Sequence, residues 1–129
     1  MNPNTLLLRQ VHPAFVKDYR VTSVVFRPTP KDEKQLSVDN GDYITAKQSY
    51  DRFVSNLNCS SIGVLAISKK ECDDEALSVI EDGVPYKEHC SINFTGLTKK
   101  EIETKAKILR DKAIARNWLF TLNGFKNYE

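Results

Sequence analysis

The sequence predicts an α+β domain: a mixed or mainly antiparallel sheet with two main helices packed on one face. Three observations carry that expectation. Apolar residues recur at helical spacing behind two capping signals, Thr45-Ala-Lys-Gln48 and Thr98-Lys-Lys-Glu101. Short runs rich in β-branched and aromatic residues lie before and between them, punctuated by Pro, Gly and Asn/Asp. The order strand, strand, helix, strand, strand, strand, helix also lacks the βαβα alternation of a parallel sheet.

Each element has its own signal. Leu6 to Val16 starts apolar and meets Pro13, so it reads as a short or irregular strand. Val21 to Phe26 is β-branched and aromatic and is stopped by Pro28, which predicts a second strand. A polar loop follows over residues 27–34, then a brief strand at Leu36-Ser-Val38 and the turn signal Asp39-Asn-Gly-Asp42. The first helix starts near Thr45 and puts Ala46, Tyr50, Phe53, Val54 and Leu57 on one face. Ser61 to Ile67 reads as a central strand in which Gly63 marks a close approach or bulge. Ser68 caps a single turn through the acidic cluster Glu71 to Glu75, whose carboxylates suit the positive end of a helix. Leu77 to Ile80 and Cys90 to Phe94 are two further strands, and in the second His89, Ser91 and Asn93 alternate with buried positions. The last helix runs from Thr98 to about Asn117 on a stripe of Ile102, Ala106, Leu109 and Ala113. Residues 119–129 are a C-terminal tail or an edge strand.

With 129 residues, 40% of them apolar, and no repeat, low-complexity tract or Gly/Ser linker, the chain reads as one domain over 1–129. No apolar run approaches the ~20 residues of a membrane span, and the N-terminus lacks a secretory pattern. Cys59, Cys72 and Cys90 are odd in number without C-x-x-C spacing, which fits reduced thiols in the cytoplasm. The formal charge of +2 is unevenly spread: residues 1–31 carry five bases against one acid, 32–97 carry six against twelve, and 98–129 carry eight against four. A basic surface opposite an acidic middle favours a polar macromolecular partner or an anionic small ligand.

Motifs exclude more than they assign. Dinucleotide, P-loop, esterase and zincin signatures are absent, and the cysteines and two histidines lack the clustering of a metal site, so neither metal nor cofactor is implied. The bases of the last helix scatter around its circumference, so dedicated DNA binding is not expected. The most suggestive group is Arg9, His12, Arg20, Thr22, Ser23, Arg27, Lys31 and Ser37, packed into the opening third. Guanidinium groups grip phosphate or carboxylate, hydroxyls add directional donors, and histidine moves protons near neutral pH.

The blocks Leu7-Leu-Arg-Gln-Val-His-Pro13, Arg20-Val-Thr-Ser-Val-Val-Phe-Arg-Pro28 with Lys31-Asp-Glu-Lys-Gln-Leu-Ser-Val38, and Ala106-Lys-Ile-Leu-Arg-Asp-Lys-Ala113 resemble a group of small uncharacterised bacterial proteins of similar length. The resemblance implies a stand-alone bacterial protein and carries no activity.

Two expectations of function follow. The first is a non-catalytic accessory module of the bacterial cytoplasm that docks to a protein through Trp118, Leu119, Phe120 and Phe125. The alternative is a small enzyme or binder for a nucleotide or phosphodiester. In it, His12 and His89 act as general base and acid, and Arg20, Ser23, Arg27 and Lys31 hold the ligand. The second requires His12 and His89 to share one cleft.

Overall fold

The computed structural model describes residues 1–29 and 33–122. In chain order the elements are β1 (Leu6–Gln10), β2 (Val16–Lys17), β3 (Arg20–Val21), β4 (Gln35–Asn40), α1 (Ala46–Val54) and β5 (Gly63–Ser68). They continue with α2 (Lys69–Asp74), β6 (Ser78–Ile80), β7 (His89–Asn93), α3 (Lys99–Arg116) and β8 (Phe120–Thr121). Six strands form one sheet in the order β6-β7-β4-β1-β5-β8, while β2 and β3 make a separate small ribbon. Every pairing is antiparallel. This is the α+β class the sequence predicts.

Strand alternation decides how the sheet is covered. Successive side chains of a strand point to opposite faces, and β1 buries both Leu7 and Leu8. Leu7 joins Leu36, Val38, Leu65, Ile67, Cys90 and Ile92 in the larger core, where Ala106, Leu109 and Ala113 of α3 close over them. Leu8 joins Val64 and Ala66 in a smaller core closed by Tyr50 of α1 and by Phe120. The two main helices thus divide between the faces instead of sharing one. The cause is visible in β5, where all six residues are buried and both sides need a cover.

Among the described residues all three α-helices start with a reciprocal capping box, at Thr45 with Gln48, Ser68 with Glu71, and Thr98 with Glu101. Each satisfies two amide donors that the first turn leaves without a partner. α3 is also fastened at its far end. Arg116 donates to both carboxylate oxygens of Glu71, at 2.9 and 3.0 Å, and to the Ala66 carbonyl at 2.9 Å. Burial raises the Glu71 carboxyl, but the bonds from Arg116 and the Ser68 amide outweigh it and hold the group below the ordinary value.

Elsewhere the structure departs from the sequence expectation. Val21 to Phe26 is not a strand: only Val21 pairs, in β3, and Ser23–Phe26 form a 3-10 turn. Val25 and Phe26 are adjacent and both fully buried, which a strand beside a one-sided core does not allow. Leu57, expected on the buried face of the first helix, lies beyond its end and is 98% exposed. The brief strand at Leu36–Val38 extends to Gln35–Asn40. The tail contributes the edge strand β8, in which Phe120 pairs with Val64; residues 123–129, Phe125 among them, lie outside the described residues. Gly63 is a close approach, since a Cβ there would sit 2.5 Å from the Phe120 carbonyl oxygen and 3.0 Å from the Trp118 ring. Among the described residues no helix is long and apolar enough to cross a membrane.

Candidate functional site

The site begins where two central strands part. β1 pairs with β5 over all five of its residues, but its ladder with β4 runs only through Leu7↔Asn40 and Leu8↔Asp39. Past Leu8 the side chain of Arg9 spans the gap. Its Nη1 donates to the Ser37 carbonyl at 3.0 Å and its Nε to the Val25 carbonyl at 2.8 Å. A guanidinium therefore supplies the donor that a strand neighbour would otherwise give to Ser37.

A cavity of about 860 Å³ opens over this split, lined by Arg9, Gln10 and His12 at the end of β1, by Ser37 and Asp39 of β4, and by Ser49, Arg52 and Phe53 of α1. Cys59, Pro85, Tyr86 and His89 complete the polar and apolar walls, and Leu8 and Val38 also contribute. α1 covers only the β1, β5 and β8 side of this face, so β4 and β7 meet the cavity instead of a helix.

His12 caps the 3-10 turn Pro13–Phe15, and its Nδ1 accepts the Ala14 amide at 2.9 Å. An amide N–H only donates, so the proton of the neutral ring sits on Nε2. His89 opens β7, and its Nδ1 lies 2.6 Å from Oδ1 of Asp82, whose Oδ2 accepts the Ser91 hydroxyl at 2.6 Å. Burial raises the Asp82 carboxyl, but hydrogen bonds from His89, Ser91 and the Val84 amide win and keep it below its ordinary value. An ionised carboxylate only accepts, so the His89 proton sits on Nδ1. The two rings hold their protons on opposite nitrogens.

Arg52 forms the far wall. Its guanidinium lies 3.8 Å over the Tyr86 ring, pairs with Asp39 at 2.9 Å, and binds Glu88. The Arg52 bond holds the Glu88 carboxyl below its usual range. Ser49 donates to the same Asp39 oxygen at 2.7 Å and accepts from Gln10 at 2.9 Å, so strand, helix and the 81–88 loop are tied into one network.

Of the residues singled out in the sequence, His12, His89, Arg9 and Ser37 come together here. Arg20 and Ser23 do not. They line a separate shallow pocket with Lys17, Thr22 and Arg110. The Ser23 hydroxyl accepts from Arg27 at 2.8 Å, and Arg27 lies 3.9 Å from Glu103. Lys31 lies outside the described residues. Sequence reading missed Arg52, Asp39 and Asp82 as site residues: Arg52 lies off the apolar stripe of the first helix, and Asp39 was read only as part of a turn signal. The only available signal for Asp82 was the Asp82-Gly83 turn pair in the connection between β6 and the strand whose polar side carries His89 and Ser91.

Cys72 and Cys90 are buried, and burial pushes their thiols up to about 12 and about 11, which leaves them protonated and unreactive. Of the expected apolar contact residues, Trp118 packs against the larger core and Phe120 lies 4.7 Å from the Tyr50 ring, Leu119 is exposed, and Phe125 lies outside the described residues. Among the described residues no group of three or more His, Cys, Asp or Glu converges on a metal position. Comparison of the chain with known protein families, curated proteins and solved structures finds no match.

Proposed function

We propose that the protein is a small acid–base enzyme, working in the bacterial cytoplasm, that acts on a nucleotide or other phosphodiester held between His12 and His89. The observation that carries the proposal is that both histidines line one cavity with Nδ1 engaged differently, by an amide donor at His12 and by a carboxylate at His89. His89 offers Nε2 as a proton acceptor, and neutral His12 offers Nε2–H as a hydrogen-bond donor to the oxygen on which negative charge grows. Water attacks phosphorus as Nε2 of His89 takes its proton. A P–O bond to the water oxygen forms and the bond to the leaving oxygen breaks; that oxygen, hydrogen-bonded by the Nε2–H of neutral His12, takes its proton from solvent as His89 releases the one it gained. The products are a phosphomonoester and an alcohol, and both rings end as they began.

Size supports a small-molecule ligand, and Arg9 and Arg52 bring guanidinium groups to the lining, the latter paired with Asp39 and Glu88. The cavity volume of about 860 Å³ falls within the range of small-molecule sites. Arg9 and Arg52, and not Arg20 and Arg27, are the arginines beside this cavity.

The test is a thermal-shift screen with nucleotides, followed by turnover of bis(p-nitrophenyl) phosphate. Wild-type protein should gain apparent stability with ligand concentration, and His12→Ala and His89→Ala should each lose about 10²-fold or more of the turnover while remaining folded. Unchanged turnover in both variants overturns the proposal. A docking module without chemistry is the second reading, favoured by exposed Val84 and Tyr86, at 69% and 47%, on the loop beside the cavity. On that reading the wild-type protein turns nothing over.

A further inference from the structure

We infer that Asp82 is a positioning residue that makes His89 the proton acceptor of the pair; this deepens the acid–base reading and rests on it. Asp82 does not line the cavity and so acts only through the ring. Its carboxylate is held from several sides: His89 Nδ1 at 2.6 Å, the Ser91 hydroxyl at 2.6 Å and the Val84 amide. The next residue is pinned as well, because the Gly83 amide donates to the His89 carbonyl at 3.0 Å. A group fixed in this way selects both the orientation and the tautomer of the imidazole.

The comparison with His12 shows why this matters. There a backbone amide occupies Nδ1 and forces the proton onto Nε2. Without a carboxylate at its own Nδ1, His89 would be free to adopt the same tautomer, and two rings each presenting N–H would leave the cavity no imidazole base. Asp82 breaks that symmetry. Its geometry assigns a direction to proton flow, from the attacking water to His89, while His12 keeps its proton and donates a hydrogen bond from Nε2–H.

The decisive experiment is a long-range ¹H–¹⁵N spectrum of the full chain at a pH where both rings are neutral. In the wild type, His89 should be protonated at Nδ1 and His12 at Nε2. In Asp82→Asn the amide can also donate to Nδ1, so His89 should move wholly or partly to the Nε2–H form while His12 stays unchanged. With bis(p-nitrophenyl) phosphate, Asp82→Asn should lose about 10²–10⁴-fold in kcat with little change in KM, and Asp82→Glu should recover part of it. A wild-type His89 protonated mainly at Nε2 overturns the inference, and that measurement needs no variant to fold. So does an Asp82→Asn spectrum identical to wild type. The tautomers as expected with no turnover of any phosphodiester would instead remove the enzyme reading and leave the positioning role standing.

Discussion

The two faces of the sheet are closed by different means, and the difference separates what holds the protein together from what it offers a ligand. On the α3 face, Leu7, Leu36, Leu65, Ile67 and Ile92 meet Leu109, Ala106, Ala113, Phe26 and Phe94 with no more than 1% of any side chain exposed. On the α1 face, a nine-residue helix spans only part of the sheet, and Asp39, His89 and Ser91 stand where a second helix would bury apolar residues. The first face is dry and close-packed. The second is a hydrogen-bonded network around an open volume. Apolar packing tolerates no gap, whereas a polar network keeps its shape around one, and only the latter leaves space for a substrate.

The sharpest way to break this contrast is to truncate one aromatic on each side. Phe26→Ala should cost about 3–5 kcal/mol in urea unfolding, because the ring is fully buried on the α3 face. Phe53→Ala, on a half-buried cavity wall, should cost roughly 1–2 kcal/mol. Equal losses would mean that the cavity side carries as much of the fold as the α3 side. Gly63→Ala should come next, at about 1–3 kcal/mol. Its new methyl meets the Phe120 carbonyl at 2.5 Å, so slowed hydrogen exchange at β8 should be lost with it.

Two smaller effects sharpen the picture of how α3 is fixed. Glu71→Gln removes the charge that receives Arg116 and should cost about 1–3 kcal/mol at pH 7. The Glu71 carboxyl lies below its ordinary value of 4.5 in the folded state. Its contribution is therefore complete above that pH and is lost as the pH falls through the depressed folded value. The stability gap between wild type and Glu71→Gln should close in acid and stay constant above about pH 6; a gap that widens in acid would contradict the assignment. Thr98→Ala, which opens the α3 capping box, should cost about 1 kcal/mol. Least of all, Lys47→Ala removes an exposed i,i+4 partner of Asp51 and should change thermal stability by no more than about 0.5 kcal/mol.

Local features were legible in the sequence and long-range ones were not. Thr45, Ser68 and Thr98 announce helix starts because a capping box is complete within four residues. Likewise, the stripe Ala106, Leu109 and Ala113 is a property of one helix, and it is buried as expected. The face each helix takes depends on β5 needing cover on both sides, which no single segment records. Val25 and Phe26 had strand-like composition, but the demand to bury two neighbours together turned the chain into a 3-10 helix. At the site, alternation correctly put His89 on the polar side of its strand. Arg9 and Arg20 belonged to the same basic opening segment, yet the turn at Pro13–Phe15 sends the chain into the β2–β3 ribbon, and Arg20 ends beside Lys17 and Arg110. Arg52 stood on a helix with no local cue that Tyr86 and Glu88 would reach it from the other side of the cavity.

The outermost strands of the sheet also bear on how copies of the chain behave toward one another. β6 spans three residues and β8, as described, spans two. A margin that brief presents only a few backbone donors and acceptors to a foreign strand, and acidic Glu81 and Asp82 follow at once on β6. Stacking edge on edge needs a longer template. Among the described residues, it is the shortness of these borders that limits fibril-like growth.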